Sequence, residues 1–256
     1  GPNGRWQQNL VGGLFNQFAV AADFDSDGDV DLLGTVSNDG AANRTERGNA
    51  FVWARNDGTG TFTILDNIQP GTGDFLQGAV VDSFVPATNQ VILSWHAKTT
   101  LLQTIQVPAD PVGTAWGLAT MPTSAHQNED LSSGDIDRDG DLDLLLGTKW
   151  LENEGSGQWN EPTLFNTANY PDRNELADIN GDGLQDVVIG ASAAGSGSSR
   201  LAGMTYVVFG RTSFSAPSLS LGALGAGGLR FDGAASSDQS GQTLGHAGDF
   251  DGDGYD

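Results

Sequence analysis

The chain has no cysteine among its 256 residues, which removes disulfide frameworks and thiolate chemistry together. Basic residues are also scarce. Lys and Arg number 11 against 33 Asp and Glu, a formal net charge of −22. So acidic a chain is a poor partner for nucleic-acid phosphates and for anionic membrane surfaces. No apolar run approaches the roughly 18 residues of a membrane span, so neither nucleic-acid binding nor membrane insertion is expected. The three histidines, His96, His126 and His246, share no motif. The H-E-x-x-H, G-x-S-x-G and G-x-x-x-x-G-K patterns are absent. Helical periodicity is rare. Glycine, at 37 residues, is instead about twice its average usage, which points to many turns and close backbone approaches.

The acidic residues are not spread evenly. "DFDSDGDVDLL" begins at Asp23, "DIDRDGDLDLLLGT" at Asp135, "DINGDGLQDVVIGAS" at Asp178 and "DFDGDGYD" at Asp249. All follow D-x-[DN]-x-D-G-x-x-D, and the last stops one residue short of its final acid. Alternate residues of a tight loop aim their oxygens at a common centre. Calcium takes six to eight oxygens, carboxylate and carbonyl, at about 2.3–2.6 Å. Positions 1, 3 and 5 supply side-chain oxygens, position 6 is the turn glycine, position 7 supplies a backbone carbonyl and position 9 a carboxylate. The candidate ligands are therefore Asp23, Asp25, Asp27, Asp29 and Asp31, then Asp135, Asp137, Asp139, Asp141 and Asp143. The third set is Asp178, Asn180, Asp182, Leu184 and Asp186, and the truncated fourth is Asp249, Asp251, Asp253 and Tyr255. Asp29, Asp141, Leu184 and Tyr255 would act through their carbonyls. Three complete Ca2+ sites and one truncated at the C-terminus are expected.

Magnesium prefers few protein ligands, and zinc lacks its Cys and clustered His here. An EF-hand would need Glu at the twelfth position and a helix after it. Gly34, Leu146 and Ile189 stand there, inside short apolar runs that read as buried strands. The four loops hold about half of the 33 acids, and four calcium ions would offset about a third of the net charge.

The interval between the first two loops is about two units long, so a degenerate copy is expected near residue 80. "GAVVDSFVPATNQVILSW" fits, with Asp82 in the place of Asp23 but Phe84, Pro86 and Asn89 or Gln90 at the other ligand positions. That copy is expected to have lost its metal. A second phrase recurs in "WARNDGTGTF" (Trp53–Phe62) and "WLENEGSGQW" (Trp150–Trp159), with "YVVFGRTSF" (Tyr206–Phe214) as a shorter relative. It reads as strand, glycine turn, strand. Each unit then holds a strand, an acid loop, a strand and a hairpin, which is the size of a propeller blade. The reading is all-β: a β-propeller of four-stranded antiparallel blades, about 4.5 of them visible and the last truncated. The approximate repeats are 10–68, 69–121, 122–165, 166–235 and 236–256 within one partial propeller domain.

These loops, each followed by an apolar strand and glycine, resemble the FG-GAP/VCBS repeat of integrin-α-type β-propellers. "GLRFDGAASSDQSGQTLGHAGDFDGDGYD" (Gly228–Asp256) and "VVIGASAAGSGSSRLAGMTYVVFG" (Val187–Gly210) are the closest stretches. The resemblance is strong over 130–256 and weaker before. It implies structural calcium between the first two strands of a blade, with ligands bound elsewhere on the propeller. It also implies kinship with adhesion proteins, lectin-like modules and accessory domains of secreted enzymes. Propellers of this family usually have about seven blades. The expectation is therefore that the chain associates through an open edge or belongs to a longer polypeptide.

The functional expectation is an extracellular or cell-surface calcium-binding module for adhesion or recognition of a protein or glycan ligand, with no catalytic residue. The alternatives are an accessory or catalytic domain of a secreted polysaccharide-active enzyme, and a self-assembling filament or surface-layer subunit. Glu129–Asp130 and Glu152–Glu154 are the acidic pairs outside the loops that a glycosidase would require. Tryptophans at repeated strand positions read as blade core. Trp116, off the repeat, is the candidate exposed contact, and the Ser37–Asn49 insertion with Arg44 and Arg47 is a candidate ligand loop. Asn43 begins a glycosylation sequon.

Overall fold

The computed structural model describes residues 15–36, 49–73, 76–85, 88–95, 101–123, 130–155, 157–162, 165–166, 173–195, 201–212 and 219–245. They form four antiparallel sheets of four strands each, met in chain order. The first comprises β1 (Gln17–Ala22), β2 (Asp31–Val36), β3 (Ala50–Asn56) and β4 (Phe62–Leu65). The second comprises β5 (Leu76–Val85), β6 (Thr88–Trp95), β7 (Leu101–Gln106) and β8 (Gly117–Pro122). In the third are β9 (Leu131–Gly134), β10 (Asp143–Leu146), β11 (Lys149–Asn153) and β12 (Trp159–Asn160). A short parallel pair joins β13 (Phe165–Asn166) to β17 (Leu219–Ser220). The fourth sheet comprises β14 (Arg173–Ala177), β15 (Asp186–Ala191), β16 (Met204–Val208) and β18 (Gly228–Asp232). Among the described residues the only helical elements are two 3-10 turns, Leu221–Ala223 and Gly225–Gly227.

Each inner sheet is covered on both faces, which is why its strands read as unbroken apolar runs rather than alternating ones. Side chains on β6 alternate between two cores. Val91, Leu93 and Trp95 join Leu33, Phe51 and Trp53 of the first sheet. Ile92, between them in sequence, joins Leu131, Leu144 and Leu146 of the third. The same alternation on β10 sends Leu145 into a core shared with Val187, Ile189 and Val208 of the fourth sheet. Polar bonds tie the first strands together as well. The Gln17 amide exchanges two hydrogen bonds with the Leu76 backbone, at 2.9 and 3.1 Å. Asn174 donates through Nδ2 to the Asp130 carbonyl at 3.1 Å. Sheets stacked face to face in chain order, joined at their first strands, have the blade-like arrangement of a β-propeller.

Two local expectations are corrected. The phrase at Tyr206 does not close into a tight hairpin: β16 ends at Val208, and its outer partner is β18, reached only after the two 3-10 turns. The Asn-acid-Gly turn of the other two phrases is replaced there by Gly210-Arg211-Thr212. Trp116 is not an exposed contact. It is fully buried against Trp53, with ring centroids 5.2 Å apart, and its indole N–H donates to the Pro111 carbonyl at 2.9 Å. Its backbone pairs with Ile68 in the bridge that closes the first sheet's exit loop onto the second, so it does belong to a core, though one built by a loop.

Candidate metal centre

Three acid loops join the first strand of a sheet to its second: Asp23–Val30 between β1 and β2, Asp135–Leu142 between β9 and β10, and Asp178–Gln185 between β14 and β15. Their backbones are wound alike. The position-1 carboxylate accepts the N–H of the position-6 glycine in all three, Gly28 at 2.9 Å, Gly140 at 3.2 Å and Gly183 at 2.8 Å. The position-5 carboxylate accepts the N–H of position 7 from Asp29, Asp141 and Leu184, at 3.1, 2.9 and 2.9 Å. The glycines lie at φ +94°, +97° and +78°, where side chains are strained. Position 4 is left-handed too, at Ser26, Arg138 and Gly181 (φ 60°, 65° and 71°), a feature that spacing alone does not reveal.

The winding gathers the carboxylates. Asp23, Asp25 and Asp27 each bring an oxygen within 4.8 Å of the others, and so do Asp135, Asp137 and Asp139. In the third loop Asp182 accepts a bond from Asn180 Nδ2 at 3.1 Å, and its N–H reaches both Asp178 and Asn180. A metal-free acidic turn would leave its oxygens in water. Here Asp25 Oδ1 and Asp135 Oδ1 are buried without a hydrogen-bond partner among the described residues. A buried, unpaired carboxylate oxygen is costly, and a cation at the focus of the triad removes that cost. The donor set, all oxygen and mostly anionic, fits calcium.

Position 9 has a second task. Asp31, Asp143 and Asp186 are completely buried. One oxygen of each accepts the N–H of position 2, from Phe24, Ile136 and Ile179 at 3.1, 3.1 and 2.9 Å. The other accepts an N–H at the end of the third strand, from Asn56, Asn153 and Gly210 at 2.7, 2.8 and 2.7 Å. Burial raises the pKa of all three, and that of Asp143 to about 7, while the two N–H donors pull the other way. An oxygen that accepts one N–H keeps a second lone pair, so this role is compatible with ligation.

The recurring tryptophan phrase extends the latch. Asn56 and Asn153 donate through Nδ2 to the position-8 carbonyls, Val30 at 3.2 Å and Leu142 at 3.1 Å. Their Oδ1 atoms accept the N–H of Gly58 and Gly155, both at 3.1 Å. The hairpin turn is thus bonded to the acid loop of its own blade. The residue before each asparagine differs. Arg55 bonds Asp25 through Nε and Asp27 through a terminal nitrogen at 3.1 Å, whereas the matching residue of the third sheet is Glu152, beside Asp137.

The degenerate loop is gone altogether. β5 and β6 run on as a ladder in which Asp82 pairs with Gln90, and Phe84 is buried. Asp249, Asp251, Asp253 and Tyr255 lie outside the described residues, as do the three histidines, Glu129, Asn43, Arg44 and Arg47. Next to the first acid loop is a cleft of about 570 Å³, lined by Phe24, Asp25, Ser83, Asn89, Pro108 and Pro111 among others.

Two family descriptions match this region: an FG-GAP-like repeat over residues 135–189 and an FG-GAP repeat over residues 175–208. Both spans contain the loop–strand unit just described. Comparison with curated proteins finds no match. The matches and the stacked sheets together describe an integrin-like, propeller-type module.

Proposed function

We propose that this FG-GAP-repeat protein is a calcium-stabilised recognition module of the cell surface or extracellular space, without catalytic activity, that binds a protein or glycan ligand. The observation that carries the calcium reading is the pair of orphaned oxygens, Asp25 Oδ1 and Asp135 Oδ1, buried within carboxylate triads. Asp23, Asp25, Asp27 and Asp31 would hold one ion; Asp135, Asp137, Asp139 and Asp143 a second; and Asp178, Asn180, Asp182 and Asp186 a third. The ion would supply positive charge to each triad. The chain's own residues do the rest: the turn glycines admit the winding, and the position-9 aspartates bind each loop to the third strand of its blade. Extracellular modules use calcium sites of about 10⁻⁴–10⁻³ M, and FG-GAP repeats are typical of extracellular proteins, which supports the location. Among the described residues no helix is long and apolar enough to cross a membrane. The cleft beside the first loop is the favoured ligand position, since its wall includes Asp25.

Thermal melting tests the calcium reading. An ion present at 100 times its Kd adds about 2.7 kcal/mol per site. Excess chelator is therefore expected to lower the Tm by several degrees, and added calcium to restore it. An identical melting curve in chelator and in millimolar calcium would sink the assignment. For the recognition reading, a glycan and extracellular-protein array probed in calcium and in chelator is expected to give calcium-dependent binding without turnover.

A further inference from the structure

Arg55 and Glu152 stand at the same point of two blades. Each is the third residue of the tryptophan phrase, Trp53–Asn56 or Trp150–Asn153, next to the asparagine whose N–H holds the position-9 aspartate. From that point each meets the position-3 carboxylate of its own loop. Arg55 bonds Asp25 and Asp27, two of the three triad members. Glu152 lies beside Asp137 and puts a carboxylate where the first sheet has a guanidinium. At this point one loop meets a cation and the other an additional anion, on otherwise matching backbones.

The guanidinium is an incomplete substitute for a metal ion. It satisfies Asp25 Oδ2 and Asp27 Oδ2, yet among the described residues nothing pairs with the buried Asp25 Oδ1, and the Asp25 side chain is only 7% exposed. Arg55 itself is 40% exposed, so it has solvent to swing into.

We infer that the two loops are calcium sites of different strength: the Asp135–Asp143 loop fills first, aided by Glu152, and the Asp23–Asp31 loop fills late because Arg55 must leave its triad before the ion enters. This rests on the calcium reading above. Affinity in oxygen-ligand loops follows the charge of the ligand set. Entry at the first loop also breaks a charge-assisted pair and leaves an arginine nearby to repel the ion. The first loop is thereby partly neutralised at low calcium, and becomes available to a dication only at high calcium.

Calorimetric titration of the whole, chelator-stripped chain with calcium chloride tests this, using the wild type and the variants R55Q, R55K and E152Q. The wild type is expected to show separable stronger and weaker classes. R55Q should tighten the weaker class about tenfold and leave the stronger within about twofold, and R55K should tighten it less. E152Q should weaken the stronger class alone, by about threefold or more. Without calcium, R55Q should melt below the wild type, because the stand-in cation is lost. Calcium constants that are the same in all four proteins, or weaker binding in R55Q, would overturn the inference while leaving the calcium reading intact. Absence of calcium heat in every protein would overturn both.

Discussion

At the residue scale, the most informative group is the position-9 aspartate. Its two oxygens answer two backbone donors that have no water to turn to, so its loss is felt without any metal. Asp143→Asn keeps the shape but presents one acceptor and an NH2 where two acceptors are needed. Measured by urea unfolding in chelator, the variant is expected to lose about 1–3 kcal/mol. A loss confined to calcium-containing buffer would mean that the residue serves the ion alone. The repeated acids and turn glycines were legible because side-chain identity is what the loop selects. The left-handed residue at position 4 was not, since Ser26 and Arg138 are types that sequence reading does not associate with positive φ. Nor does spacing tell which donors a buried acid will meet, because Asn56 and Asn153 approach Asp31 and Asp143 across a strand pairing.

At the element scale, the hairpin asparagines show how one phrase is used at two depths. Asn153 is fully buried and its amide reaches both Leu142 and Phe84, the latter at 2.9 Å on the neighbouring sheet. Asn56 is half-buried, and among the described residues its side chain bonds within its own blade. Asn153→Ala is expected to cost about 3 kcal/mol and Asn56→Ala about 1 kcal/mol, read as a difference in denaturant midpoint at equal m-value. Equal costs would count against an inter-blade role for Asn153. The strand, acid loop, strand and hairpin order could be read in advance for the first and third sheets, where tryptophan, asparagine and glycine mark the turn. It failed at Tyr206, where those marks are missing and the outer strand comes from beyond the 3-10 turns. It failed at Trp116 for a different reason. A tryptophan in a loop carries no periodicity, and only tertiary packing against Phe24 and Trp53 buries it.

At the scale of the whole molecule, the all-β class and the blade-like stacking were accessible from repetition, because each repeat must cover its neighbour's face to make a core. The second sheet departs from the repeat in a way that changes the behaviour of the rest. Where the other sheets interrupt their first two strands with an acid loop, β5 and β6 extend to ten and eight residues and pair almost to the turn. Backbone hydrogen bonds join the two strands where the other sheets have an acid loop. After chelation, amide hydrogen exchange in β5 and β6 is expected to stay slow, while the residues flanking the three acid loops accelerate by at least about tenfold. Uniform acceleration across all four sheets would instead show a single cooperative unit. On the calcium reading proposed above, the second blade, which needs no ion, would be a permanent seed between a first and a third blade that await calcium. On that same reading, a chain in calcium-poor surroundings would carry its own nucleus with it, and its flanking blades would set only once calcium is supplied.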